Sequence, residues 1–159
     1  YNIPGRTSTL IELETLQTLV DDIGIHSIKD AVGDFEFSKK QLELLKDKVD
    51  IYSGNDNQTY DFVINGGVGV VSVASHVVGD EISEMISFAK DNDLEKAEEI
   101  NMQLSNLFEA IFEEPSPGPI KKILSESWEE VGEPLLPITS ITPELANKIR
   151  GFYKKIKEN

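Results

Sequence analysis

Leu10, Leu13, Leu16 and Val20 recur at the spacing of one helical face, and Thr9 stands three residues before Glu12, the spacing of a capping box. The pattern predicts a helix over 10–21. Ahead of it, YNIPGRT reads as a turn punctuated by Asn2, Pro4 and Gly5. GIHSIK (24–29) is a short strand by composition. From Asp34, placed to cap, Leu42, Leu45 and Val49 return to helical period. VDIYSG (49–54) is a second strand, stopped by Gly54. NDNQTYDFVING reads as a short helix that ends at Gly66 and Gly67. VGVVSVAS (68–75), β-branched and bounded by glycines, is the most strand-like run in the chain. A helix follows from about Asp80, with Ile82, Met85, Ile86 and Ala89 on one face, and another from about Asp93 to Phe112. After EEPSPGP, two more helices are predicted at about 119–131 and 143–157.

Strands separated by helices imply a parallel sheet joined by right-handed crossovers. A closed barrel of this kind needs eight strands and about 250 residues. The pattern therefore fits a small open sheet or the last part of a larger barrel. It divides the chain into a strand-and-helix portion, 1–92, and a helical portion, 93–159.

Composition narrows the partners. The chain has 159 residues, enough for a domain with a real core, and 15 Lys+Arg against 29 Asp+Glu give a formal charge of −14. That balance opposes nucleic acid and anionic membranes. The absence of cysteine removes a disulfide framework, a zinc thiolate site and a thiol nucleophile, and fits a reducing cytoplasm. No apolar run reaches bilayer length, and no basic-then-apolar leader opens the chain.

Lys29 closes a short apolar run, directly before Asp30. On a strand it shares a face with Ile25 and Ser27. Two readings are open: an edge lysine whose amine reaches water, or a nucleophilic amine at the end of a parallel strand, where α/β folds place their chemistry. Tyr1 and Arg6 share the first turn. A phenol can relay protons, and a guanidinium can clamp a carboxylate. Beside a strand-end lysine they would make a site for a keto acid. The glycines of NGGVGVVS precede a strand, the wrong context for a dinucleotide fingerprint, and read as a tight turn. His26 and His76 are too isolated for a metal centre, and no carboxylate spacing suggests a ligand set. Asp30 is expected to shape a turn, and Trp128 to pack.

YNIPGRT, IKDAVGD, YSGND, GGVGVVSVASHV and EPSPGPIK, in that order, resemble the later half of the dihydrodipicolinate synthase family, relatives of N-acetylneuraminate lyase and 2-keto-3-deoxygluconate aldolase. The resemblance implies an α/β fold: the C-terminal portion of a TIM (β/α)8 barrel, about three βα units, followed by extra C-terminal helices, in a homotetramer. It implies condensation of pyruvate with aspartate semialdehyde through a covalent imine on Lys29, with no cofactor and no metal. Tyr1 falls on the proton-relay tyrosine, Arg6 on the carboxylate-binding arginine, Val71 on the strand-end position that meets pyruvate through its backbone, and Gly54 on a glycine lining the same pocket. It further implies that the partner of this chain is the N-terminal half of the barrel, and that the chain alone has little activity. Another pyruvate-dependent aldolase of the group, or a non-catalytic scaffold fragment, is the alternative.

Overall fold

The computed structural model describes residues 1–158. Its contacts divide the chain into two compact units: Tyr1–Ser72 with Phe88–Asp93, and Val73–Ser87 with the chain from Leu94 on.

The first unit is built on three parallel strands, β1 (Ser27–Asp30), β2 (Asp50–Ser53) and β3 (Gly69–Val70), in the order β1-β2-β3. Lys29 stands opposite Tyr52, and Tyr52 opposite Gly69. On the far side of β1, Asn2 forms an isolated parallel bridge with Asp30. The chain enters through α1 (Pro4–Thr7) and α2 (Leu13–Thr18), which widens into a π-helical turn at Leu19–Ile23. Between the strands run α3 (Phe35–Leu45) and α4 (Thr59–Ile64), the latter preceded by a 3-10 turn at Asp56–Gln58. Leu16, Val20, Ile28, Leu42, Leu45, Val49, Ile51 and Phe62 form one buried cluster between sheet and helices. Each such side chain contributes about 1.5–3 kcal/mol by leaving water.

Several local expectations change. Pro4 sits in the first turn of a four-residue helix, where its missing N–H costs nothing, so the opening segment is more than a turn. Thr9 does not cap. Helix α2 starts one turn later, after Glu12, and without a side-chain cap. The run 68–75 pairs as strand only at Gly69–Val70. Its neighbour β2 ends at Ser53, and the last ladder bond runs from the Val71 N–H to the Ser53 carbonyl at 2.8 Å. The chain then turns into α5 (Ser75–Lys90) ahead of the expected start, with non-helical dihedrals at Val78. Asp34 does cap α3, accepting from the N–H groups of Glu36 and Phe37. Gly67 sits where a Cβ would lie 2.9 Å from the Phe62 carbonyl oxygen, so only glycine allows this turn to fold back on α4.

In the second unit, α8 (Pro143–Glu158) packs against both α6 (Leu94–Ala110) and α7 (Gly118–Ser127). Leu104, Leu107, Phe108, Ile120, Ile123, Leu145 and Ile149 are among the apolar residues these helices bury. Arg150 on α8 grips Glu126 on α7 with two hydrogen bonds, 2.8 Å from Nε and 2.7 Å from Nη2. Trp128 is 69% exposed and does not pack. Among the described residues, no helix is long and apolar enough to cross a membrane.

Candidate active site

Parallel strands present side chains alternately to two faces, and partners in register share a face. Ile28 and Asp30 point into the first unit and are buried, whereas Lys29 is half-buried on the opposite face. The register puts Tyr52 on that same face, beside Lys29, with Gly69 one strand further. The sequence does not single out Tyr52, because register between strands is not written in either strand alone.

The bridge at Asn2 brings Tyr1 to the other flank of Lys29. The Asn2 N–H donates to the Lys29 carbonyl at 2.9 Å, and its own carbonyl accepts from the Ala31 N–H at 2.9 Å. The Lys29 Nζ lies 4.3 Å from the centroid of the Tyr1 ring, so the amine sits over the aromatic face within cation–π range. Tyr1 is 62% exposed, and its hydroxyl has no hydrogen-bond partner among the described residues.

Gly54 supplies the floor. A Cβ there would lie 3.0 Å from Lys29 Cε, 2.9 Å from the Asp30 carbonyl oxygen and 2.7 Å from Ala31 Cβ. Its N–H donates to the Asp30 carbonyl, closing the end of β2 onto the end of β1. Ser53 and Asn55 knit the loop that follows: the Ser53 hydroxyl donates to the Asn55 carbonyl at 2.8 Å and accepts the Asn55 N–H at 3.1 Å. Val71, at the end of β3, is 47% exposed. Arg6 lies on α1, exposed, and its guanidinium has no partner among the described residues. Tyr1 and Gly54 thus each approach the Lys29 side chain, Val71 follows directly on the third strand, and Arg6 stands free on the entry helix.

Beneath the strand, Asp30 is a carboxylate among neutral donors. It accepts from the Val32 N–H at 2.9 Å, the Ser38 hydroxyl at 2.8 Å and the Gln41 amide at 3.2 Å. Burial pushes its carboxyl above the ordinary range, against the opposing pull of these hydrogen bonds. Its predicted turn-shaping role is the Val32 contact. The link to Ser38 and Gln41 adds a tie from β1 to α3.

No group of three or more His, Asp or Glu among the described residues could hold a metal ion. A cleft of about 320 Å³ in the second unit is lined by Lys121, Lys122, Glu130, Glu133, Asn147 and Arg150 among others. Its cations are engaged internally: Arg150 and Lys122 with Glu126, Lys121 with the Val131 carbonyl.

Comparison with known proteins gives one answer. The sequence profile of the dihydrodipicolinate synthetase family matches residues 1–156. The 4-hydroxy-tetrahydrodipicolinate synthase of Listeria monocytogenes is 34% identical over 158 residues, 99% of this chain and 54% of the relative. That of Thermosynechococcus vestitus is 41% identical over 150 residues, 94% of this chain and 51% of the relative. A crystal structure of the Cyanidioschyzon merolae synthase with lysine bound superposes with a TM-score of 0.93 at 35% identity, over 99% of this chain and 53% of that one. The chain spans about half the length of the relatives it matches. An open sheet of parallel βα units with helices following it is what part of such a barrel looks like, and with a profile match over residues 1–156, the chain belongs to the dihydrodipicolinate synthetase family.

Proposed function

We propose that this chain carries the imine-forming centre of a 4-hydroxy-tetrahydrodipicolinate synthase. The supporting observation is the meeting of Tyr1 and Lys29 at the end of β1, ring centroid to Nζ 4.3 Å, on the one face where Gly54 leaves the lysine room to lie. In this reading the neutral Lys29 amine adds to the ketone of pyruvate. Loss of water gives a cationic imine, which withdraws electrons from the methyl group. Tyr1 relays the proton that leaves the methyl carbon. The resulting enamine carbon bonds to the aldehyde carbon of aspartate semialdehyde, whose carboxylate Arg6 holds. Ring closure by the semialdehyde's own amine displaces Lys29 and regenerates it. Val71 meets pyruvate through its backbone, and Gly54 keeps the floor of the pocket flat. The remaining barrel strands come from polypeptide outside these 159 residues, and the working form is an oligomer of the completed barrel.

Borohydride reduction in the presence of pyruvate tests the centre. Intact mass and peptide mapping of the complete enzyme should place one reduced pyruvyl group on Lys29. A folded, complete enzyme with no adduct, or with the adduct on another lysine, defeats the reading.

A further inference from the structure

We infer that Asn2 is a positioning residue that sets Tyr1 against Lys29; the inference rests on the reading that these two carry the chemistry. Asn2 is only 1% exposed, although its neighbour Tyr1 is largely in solvent. All four of its polar groups are used. The backbone forms the bridge to Lys29 and Ala31 already described. The side-chain Oδ1 accepts the Ile11 N–H at 3.0 Å, and Nδ2 donates to the Ile11 carbonyl at 3.0 Å. One side chain thus imitates a strand partner for Ile11, while its own backbone is strand partner to β1.

The consequence falls on Tyr1. The peptide that joins Tyr1 to Asn2 carries the bridge to β1, and with it the side of Lys29 on which the ring lies. Removing the amide leaves both Ile11 backbone groups without their partner, and the segment is then held to β1 by its two backbone bonds alone, so it can shift. The ring then leaves its seat over the amine, while Lys29, held by β1 and by Gly54, stays in place. A misplacement near 1 Å costs a reacting group about 100-fold.

This predicts a split that a merely structural residue would not give. Two readouts are taken on the complete enzyme: borohydride trapping of pyruvate on Lys29, and exchange of the pyruvate methyl protons with deuterated water, followed by NMR. Asn2→Ala should trap to within about 2-fold of the parent, while methyl exchange falls about 10- to 100-fold, and Tyr1→Phe should show the same split. Asn2→Asp, of the same shape and still able to accept the Ile11 N–H, is read the same way if the alanine variant does not fold. Exchange at the parental rate overturns the inference, as does a parallel fall of trapping and exchange. Failure of the parent itself to trap pyruvate on Lys29 defeats the proposed function instead.

Discussion

At Gly54, one methyl group decides the site. The added Cβ would crowd Ala31, the Asp30 carbonyl and Lys29 Cε together, and two of these three neighbours are parts of the backbone or lie directly on it. Overpacking of this kind costs about 1–3 kcal/mol, and relief comes most easily by swinging the lysine away. Gly54→Ala should therefore lower pyruvate trapping on Lys29 by about 10-fold or more while leaving the far-UV circular dichroism spectrum unchanged. Lys29 itself is legible in the sequence as a lysine in an unusual place, and Tyr1 and Arg6 as side chains suited to a keto acid. That Tyr52 shares the lysine's face is not, since it follows from a register fixed only when β1 and β2 pair. Asn2 reads in the sequence as a turn former; that its amide spans to Ile11, nine residues on, has no local signal.

Among the elements, the junction of β1 with α3 is the one most exposed to pH. The Asp30 carboxyl is raised above its ordinary value near 3.8 because burial disfavours its charge. The folded state therefore holds this proton more tightly than the unfolded chain. The contribution to stability is fully present below the unfolded value and is lost as pH rises through the raised one. Asp30→Asn removes the charge, and its amide can turn towards the Gln41 Oε1, a buried oxygen without a partner. The Tm of the D30N protein should thus gain on that of the parent as pH rises above about 3.8; thermal melts across the acid range would show it, and a constant difference would refute it. Glu126 works in the other sense. Its hydrogen bonds to Arg150 hold its carboxyl below the usual range, so the α7–α8 tie is present above 4.5 and lost as pH falls through the lowered value. The helices are the readable elements because their apolar periodicity is strong: Ile82, Met85 and Ala89 are buried where the pattern places them. The third strand is shorter than its composition suggests, because β-branched residues record a preference, whereas strand length is set by the neighbour, and β2 stops at Ser53. The capping box at Thr9 fails for a related reason: Asn2 takes both Ile11 backbone groups, and Glu12 is extended at ψ 157°.

For the molecule as a whole, the three strands do not close on themselves, Asn2 alone bridges the outer side of β1 among the described residues, and the relatives are nearly twice as long. Parallel sheets in closed barrels have no edges. The 159-residue chain alone should turn over pyruvate and aspartate semialdehyde poorly, and polypeptide carrying the remaining strands should raise that rate by at least about 10-fold. Coupled assay of the two parts, separate and mixed, measures this; full turnover from the chain alone would refute it. The succession of strands and helices makes the parallel sheet legible in the sequence, and the five motifs in family order imply the barrel it would belong to. The division of contacts into two units, with α5 contributing to both, is not legible, because a continuous helix gives no sign of which residues it serves.

Trp128 sets a limit on how the protein can be watched. It is the single tryptophan of the chain, it lies in the second unit, and it already faces water. Its emission should sit near the wavelength of free indole and be quenched readily by iodide in the native state. Unfolding will change it little, since the indole has no burial to lose. Pyruvate on Lys29 would sit in the first unit, whereas Trp128 belongs to the second. A flat fluorescence titration would then describe where the probe stands, while mass, exchange and circular dichroism report on the site and the fold.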